Sequence, residues 1–298
     1  MLNRKTEPID MFQVVLGIIP AALAAGEAIL DIYQEADYGM EFKSDNTPVT
    51  RADKAAHRII CEALAATPWP VISEEGADTP YAVRKDWNTF WLVDPLDGTK
   101  EFIRRNGEFT VNIGLIHHDY PLGGIVYAPF TGELFLGFAG SGAWKLDNAS
   151  AMGNPPWLNG SWELSGRRLP FSPTHRPFTV VASRSHMNLE TQEFIEGLRL
   201  RHPDLSVSNR GSSLKTCLVA EGAADVYPRF GPTMEWDTAA AQAVAEAAGK
   251  KVVEASTGLR LIYNKENLLN PGFIAFDRQK ADQLLWPGRP QNDPLHHS

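Results

Sequence analysis

The apolar run at residues 90–93, FWLV, stops abruptly at Asp94-Pro95, and this break constrains the fold more than any other feature of the chain. Four such residues in a row predict a buried strand. Proline has no N–H to donate and disfavours a helical conformation in the residue before it, so we expect the strand to end at Asp94. Thr99 then predicts the start of a short helix.

Two carboxylates, Asp94 and Asp97, lie on this turn. Burying carboxylates at the end of a strand costs free energy unless a positive charge lies next to them. Divalent cations such as Mg²⁺ prefer oxygen ligands and could supply that charge. Acidic turns of this spacing also occur on ordinary protein surfaces, so the motif alone leaves both interpretations open.

The composition predicts a cytoplasmic protein of about two globular domains. The chain has 298 residues, of which 43% are hydrophobic, and this suffices for packed cores. The net charge of −8 argues against binding nucleic acid through its phosphates. Cys61 and Cys217 offer neither a disulfide framework nor a metal-ligand spacing, which favours a reducing cytosol.

The apolar residues 12–25 follow two basic residues and faintly resemble a signal peptide. Two acidic residues interrupt the start of this stretch, and its apolar pattern continues to Tyr33. The run is too short to span a bilayer. We therefore predict a structural helix at 11–35 and no stable membrane insertion. A peripheral position on the inner face of the membrane stays open, although no strongly basic amphipathic face is visible.

The pattern of elements divides the chain into two predicted domains. Residues 1–168 combine front helices with a run of hairpins, which predicts an α+β domain with a largely antiparallel sheet. Residues 77–88 are predicted to be a charged loop. Residues 169–298 alternate strands and helices, including a strand near 260–263, which predicts an α/β domain.

Three further acidic residues are candidates for the same site as Asp94 and Asp97. Glu74 follows a predicted short strand, Asp53 lies in the first turn of a predicted helix, and Asp237 begins an alanine-rich helix. Each also has an ordinary interpretation, because Asp commonly caps helices and Glu is common in solvated turns. No cation partner for them is evident from the sequence.

Taken together, these stretches resemble the inositol monophosphatase superfamily of metal-dependent, lithium-sensitive phosphatases. The motifs that carry the resemblance are TRAD (50–53), SEEG (73–76), DPLDGT (94–99) and WD (236–237). The longer strings are similar to those of the bacterial 3'(2'),5'-bisphosphate nucleotidase family. They are DPLDGTKEFI, RNGEFTVNIGLI, SRSH (183–186), GSSLKTCLVAEG (211–222) and YPRFGPT (227–233).

The resemblance implies a layered αβαβα sandwich and assigns roles by position. Asp53 and Thr99 match the pair that orients and deprotonates the attacking water. The implied metal ligands are Glu74, Asp94, Asp97, Asp237 and the backbone carbonyl of Leu96, with Glu75 as a second choice beside Glu74. The implied substrate contacts are Gly98, Thr99, His186, Ser212, Lys215 and Arg229.

The implied activity is Mg²⁺-dependent hydrolysis, with two or three ions, of the 3'-phosphate of 3'-phosphoadenosine 5'-phosphate. This small molecule, also called adenosine 3',5'-bisphosphate, is a by-product of sulfate assimilation, and its hydrolysis gives AMP and phosphate. An inositol monophosphatase or sugar phosphatase is the alternative within enzymes, and a catalytically weak nucleotide-binding regulator is the alternative outside them. Homodimers are common in the superfamily, but this sequence shows no interface signature.

Overall fold

The computed structural model describes residues 9–43, 48–149, 166–171, 176–183 and 187–284. The helices in this part of the chain are α1 (Met11–Gln34), α2 (Arg51–Leu64), α3 (Tyr81–Arg84), α4 (Thr99–Ile103), α5 (Leu189–Arg199), α6 (Leu214–Glu221) and α7 (Glu235–Ala247), with a 3-10 helix at Arg278–Gln283. The first strands are β1 (Glu41–Phe42), β2 (Pro48–Val49), β3 (Val71–Ser73), β4 (Thr89–Asp97), β5 (Thr110–His117), β6 (Tyr120–Ala128), β7 (Glu133–Phe138), β8 (Gly142–Leu146) and β9 (Arg167–Arg168). The later strands are β10 (Thr179–Ala182), β11 (Ser206–Asn209), β12 (Val226–Arg229), β13 (Lys250–Glu254) and β14 (Phe273–Asp277).

Two main sheets and the two-stranded antiparallel pair β1-β2 organise the described strands. The large sheet contains β3 to β9 in chain order, and each neighbouring pair is antiparallel except β3 with β4. The small sheet has the order β11-β10-β12-β14-β13, in which β10 is parallel to both its neighbours and β14 is antiparallel to its own. The antiparallel character predicted for the first sheet is therefore confirmed.

Helices and sheets stack in five layers. Helices α1 and α2 cover the outer face of the large sheet, where Ile29 and Ile60 share a core with Trp91. Helices α6 and α7 lie between the sheets, and α5 covers the outer face of the small sheet. This is the predicted αβαβα arrangement, built because each sheet has two apolar faces to bury.

The structure corrects three sequence predictions. β4 does not end at Asp94-Pro95 but runs to Asp97, because residues 94–97 form a bulge opposite Thr110–Asn112. An extra residue in a bulge needs no ladder hydrogen bond, so the proline is tolerated there. The predicted loop 77–88 contains α3. The predicted strand at 260–263 is only an isolated bridge between Arg260 and Val253.

Helix α1 confirms the predicted helix at 11–35 to within one residue. It is long and apolar enough to cross a membrane by length and composition alone, but 50% of its most apolar window is buried inside the fold. It packs on α2, β5 and β6. Its apolar side is therefore used in the core.

Helix α7 lies unusually close to the large sheet. A side-chain carbon on Gly124 of β6 would be only 2.3 Å from the carbonyl oxygen of Ala240 in α7, so only glycine fits there. The same helix also packs on β13 of the small sheet. Helix α7 therefore packs against both sheets. The division into domains 1–168 and 169–298 stays a prediction.

Candidate active site

A cavity of about 260 Å³ is lined by residues of both sheets. Its carboxylates are here called the acidic end, and Lys215 and Arg229 are called the basic end. The bulge of β4, the start of α4 and the start of α7 form the acidic end. The start of α6 and the end of β12 form the basic end. The sequence-predicted residues that line the cavity are Glu74, Asp94, Leu96, Asp97, Gly98, Thr99, Ser212, Lys215, Arg229 and Asp237.

Three carboxylates from distant parts of the chain converge at the acidic end. One oxygen each of Glu74, Asp94 and Asp237 lies within 4.8 Å of the others. Glu74 and Asp94 are neighbours because β3 pairs in parallel with β4, and the Glu74 N–H donates to Val93 O at 3.0 Å. Asp237 is the third residue of α7 and accepts a bond from the Met234 N–H at 2.9 Å. It therefore caps its helix as well as joining the cluster.

Asp97 lies in the same cavity beside this cluster. Its Oδ2 accepts a 2.6 Å bond from the Ser213 N–H and a 3.4 Å bond from the Asn112 side chain. The Ser213 hydroxyl donates in turn to Asn112 Oδ1 at 2.8 Å. Asp97 is thus fixed from the large sheet and from α6 together.

Burial makes this cluster costly to ionise. It raises the pKa of Asp94 and Asp237 well above the ordinary value, and neighbouring carboxylates add to the effect. Burial also raises the pKa of Asp97 to about 6, although Lys215 opposes this. The two causes are those expected when like charges share a site with little water.

The donor set fits a divalent cation. Asp94 is 2% exposed and accepts a 3.0 Å bond from the Leu96 N–H, and no Lys or Arg of the described part forms an ion pair with it. Buried carboxylates without a cation are rare in proteins. Carboxylate oxygens, together with the nearby Leu96 carbonyl, are ligands that Mg²⁺ and similar ions prefer.

Asp53 and Thr99 form a second unit beside the cluster. The Thr99 hydroxyl lies 3.1 Å from Asp53 Oδ1 and 3.3 Å from Leu96 O. Asp53 Oδ2 accepts bonds from the N–H and the hydroxyl of Thr50, both at 2.7 Å, at the start of α2. Burial raises the pKa of Asp53 to about 6, and the bonds from Thr50 oppose this. A carboxylate with such a pKa can hold a hydroxyl in place and exchange a proton near neutral pH.

The basic end contains two buried cations. Lys215 is 5% exposed and Arg229 is 9% exposed. Lys215 donates to the carbonyl oxygens of Ser212 and Arg210 at 2.6 and 3.3 Å. Burial and, to a smaller extent, Arg229 lower the pKa of Lys215 to about 8, although Asp97 opposes the shift. Arg229 donates from one terminal nitrogen to Pro232 O at 3.0 Å, while its buried Nε has no partner among the residues that the structure describes.

The remaining predicted residues are Gly98 and Ser212, which are characterised by their backbone conformation, and His186. Gly98 precedes α4 with a φ of 96°, a value that glycine adopts without strain. Ser212 precedes α6 with a φ of 48°, so its loop is held in a conformation that is unusual for serine. His186 lies outside the described residues.

Sequence reasoning missed Lys43, which follows β1. Its ammonium group lies 2.8 Å from Glu74 and 2.5 Å from Glu75. Both carboxylates raise the pKa of Lys43, against the effect of burial. The only sequence signal was a lysine before a turn-rich stretch, and the antiparallel pairing of β1 with β2 is what brings it to the cluster. Ser213 and Asn112 were also missed, because the sequence does not show that the start of α6 meets β5 beside Asp97.

The chain matches the model of the inositol monophosphatase family over residues 10–288. It is 47% identical over 254 residues to the 3'(2'),5'-bisphosphate nucleotidase CysQ of Escherichia coli K12, which covers 84% of this chain and 94% of the relative. The match to the CysQ of Salmonella typhimurium is 48% identical over 255 residues, with the same coverage of 84% and 94%.

Solved structures agree with the fold. The crystal structure of CysQ from Bacteroides thetaiotaomicron has a TM-score of 0.81 and 47% identity, and the match covers 88% of this chain and 96% of that one. An inositol monophosphatase of Thermotoga maritima has a TM-score of 0.67 at 20% identity, with 89% and 92% covered. At that identity the likeness concerns the fold alone.

Proposed function

The chain belongs to the inositol monophosphatase family, and we propose that it is a 3'(2'),5'-bisphosphate nucleotidase, which hydrolyses adenosine 3',5'-bisphosphate to AMP and phosphate. The observation that carries this assignment is the polarity of the cavity. One end gathers carboxylates and the other end holds Lys215 and Arg229, buried side by side. A substrate with two phosphates can place one at the acidic end and the other at the basic end. An inositol or sugar monophosphate has one phosphate, so it would use the acidic end and leave Lys215 and Arg229 without a phosphate to bind.

Glu74, Asp94, Asp97, Asp237 and the carbonyl of Leu96 would hold two or three Mg²⁺ ions at the acidic end. When bound, such ions neutralise phosphate oxygens and acidify water at neutral pH. The chain's part is to fix the ligands: the bulge of β4 carries Asp94 and Asp97, and α7 carries Asp237. Asp53 holds the Thr99 hydroxyl, so this pair would orient the attacking water and take its proton.

At the basic end, Lys215 and Arg229 would hold the 5'-phosphate. The Nε of Arg229 is buried and has no hydrogen-bond partner among the described residues, and the planar guanidinium suits two-point contact with a phosphate. Gly98, Ser212 and His186 are proposed as further substrate contacts. Cytoplasmic location and a homodimeric state stay predictions.

We expect Thr99→Ala to lower kcat by about 10²- to 10⁴-fold, the usual contribution of a positioned proton-transfer group. The variant loses the hydroxyl that Asp53 holds but keeps every proposed metal-ligand side chain. Thr99→Ser is the matched control and should keep most of the rate. Rates should be measured at saturating Mg²⁺ and substrate. Equal loss in both variants would show that the methyl group, not the hydroxyl, matters.

We expect the affinity for Mg²⁺ to rise as the pH increases from about 5 to about 7. Burial raises the pKa of Asp97 from 3.8 to about 6, and it raises those of Asp94 and Asp237 well above the ordinary value. These carboxyls therefore hold protons in the metal-free protein, and Mg²⁺ must displace them. Calorimetry in two buffers of different ionisation enthalpy should detect proton release near pH 6. Binding without proton release would contradict the proposed ligand set.

The assay that tests the function compares phosphate release from adenosine 3',5'-bisphosphate, inositol 1-phosphate and fructose 1,6-bisphosphate, with and without millimolar Mg²⁺. We expect a strong preference for the adenosine bisphosphate and no release without Mg²⁺. Preference for inositol 1-phosphate would overturn the role of Lys215 and Arg229. Tight binding of the bisphosphate without any phosphate release would identify a nucleotide-binding regulator instead.

A further inference from the structure

Glu235 is a buried carboxylate that the proposed reaction does not use. It is 0% exposed and lies two residues before Asp237. Its carboxylate accepts bonds from the N–H groups of Asn264 and Lys265, at 2.7 and 3.0 Å, and from the Lys265 ammonium at 2.6 Å. A buried charge with this many donors is held in one place. It ties the first turn of α7 to the segment that follows residue 263.

Arg84, at the end of α3, also holds this segment. It is 3% exposed, and it donates to Asn264 Oδ1 at 2.9 Å and to the carbonyl oxygens of Lys265 and Glu266 at 2.7 and 2.8 Å. Its Nε donates at 3.2 Å to Thr79 O, in the stretch that leads from Glu74 to α3. Arg84 thus connects the part of the chain that carries Glu74 to residues 264–266.

Residues 264–270, here called the bridging segment, close around the start of α7. Leu268 O accepts a 2.9 Å bond from the Glu235 N–H. The side chain of Asn270 donates to Met234 O at 2.8 Å and to Thr238 Oγ1 at 3.0 Å. The Met234 N–H is the group that donates to Asp237. The bridging segment therefore holds the backbone of Met234 and Glu235, which lead into Asp237.

We propose that Glu235 and Arg84 are positioning residues that act through the bridging segment to fix Asp237 opposite Glu74 and Asp94. The inference rests on the proposed function, because it assigns to Glu235 and Arg84 an effect on the affinity for the divalent cation. Asp237 comes from the second half of the chain, whereas Glu74 and Asp94 come from the first. Mg²⁺ demands near-ideal octahedral geometry, so a small shift of one ligand weakens binding.

The test is the dissociation constant for Mg²⁺, measured by calorimetry on the full chain without substrate. Glu235→Gln keeps the size of the side chain but places an NH₂ group against N–H donors. Arg84→Lys keeps the charge but cannot reach three acceptors. We expect each variant to bind Mg²⁺ about 10- to 100-fold more weakly, as is usual when groups that orient metal ligands are changed. At saturating Mg²⁺ the KM for substrate should change little.

Glu221→Gln is the matched control. Glu221 is also a buried carboxylate, 5% exposed, and it forms an ion pair with Lys145 away from the cavity. This variant should lose thermal stability to a similar degree and keep the Mg²⁺ affinity of the unaltered protein. The double variant Arg84→Lys with Glu235→Gln should weaken binding by less than the product of the single effects, because both act through one segment.

Three outcomes would contradict the inference. Unchanged Mg²⁺ affinity in Glu235→Gln or in Arg84→Lys, whichever folds, would overturn it while leaving the proposed function intact. Equal weakening in Glu221→Gln would assign the effect to general stability. Absence of Mg²⁺ binding by the unaltered protein would overturn the proposed function, and the inference with it.

Discussion

Asp94→Asn is expected to abolish phosphate release and to raise the melting temperature of the metal-free protein. The loss of rate should be about 10³-fold or more, since a metal ion supplies several kcal/mol of transition-state stabilisation and each 1.36 kcal/mol is a factor of ten. Asp94 is the most deeply buried residue of the acidic cluster, at 2% exposure. One of its oxygens lies within 4.8 Å of an oxygen of Glu74 and of an oxygen of Asp237.

The gain in stability follows from the sign of the pKa shift. The folded-state pKa of Asp94 is raised well above its ordinary value by burial and by its acidic neighbours, so keeping this group in the fold at neutral pH costs free energy, either as an uncompensated charge or as a proton taken up on folding. Asparagine is neutral without a bound proton and keeps the shape. Each kcal/mol of relieved repulsion should raise the melting temperature by about 2 °C. Mg²⁺ should raise the melting temperature of the unaltered protein much more than that of the variant.

Asp225→Asn is the control for this experiment. Asp225 is also buried, at 4% exposure, but it forms an ion pair with Arg176 and accepts a 2.7 Å bond from the Thr179 N–H. Its replacement should lower the melting temperature and leave the response to Mg²⁺ unchanged. If Asp94→Asn behaved like Asp225→Asn, the acidic cluster would be a structural feature and not a metal site.

Arg229→Met is expected to lower kcat/KM for adenosine 3',5'-bisphosphate by about 10²-fold, because removing one partner of a buried charge pair costs 2 kcal/mol or more. Arg229 is 9% exposed, and its Nε has no partner in the described part of the chain. The free donor and the nearby Lys215 are the groups proposed to meet the 5'-phosphate.

Adenosine 3'-phosphate is the substrate that isolates this effect, since it lacks the 5'-phosphate. The variant and the unaltered protein should hydrolyse it at similar rates. Arg199→Met serves as the control variant, because Arg199 is a half-exposed arginine on α5 and its loss should change neither rate. A uniform loss on both substrates in Arg229→Met would mean that the arginine supports the fold of the cavity and not the recognition of the second phosphate.

Local sequence patterns predicted the strands and hairpins of this protein, which depend on residues that are close together in the sequence. The run FWLV predicted β4, and the hairpin spacing predicted the large sheet, because burial and turn chemistry act over a few residues. The proximity of Glu74 and Asp94 follows from two strands that lie side by side. Asp237 could be placed near them only through the family resemblance, since the sequence does not show where α7 packs.

Contacts between distant segments could not be predicted. Lys43 reaches Glu74 and Glu75 through the pairing of two very short strands. Arg84 and Glu235 meet at the bridging segment, although nothing in the sequence around either residue suggests a common partner. The bulge in β4 was missed because a proline after an apolar run indicates a strand end more often than a bulge.

The most direct test of the proposed reaction is to locate the ¹⁸O label in the products when adenosine 3',5'-bisphosphate is hydrolysed in ¹⁸O-labelled water with Mg²⁺. If water attacks the 3'-phosphorus, the released phosphate carries one labelled oxygen, and the nucleotide product is unlabelled AMP with its phosphate on the 5' carbon. Phosphorus NMR and mass spectrometry distinguish these products. Adenosine 3'-phosphate as the product, or the label in the nucleotide, would contradict the placement of the 3'-phosphate at the acidic end of the cavity.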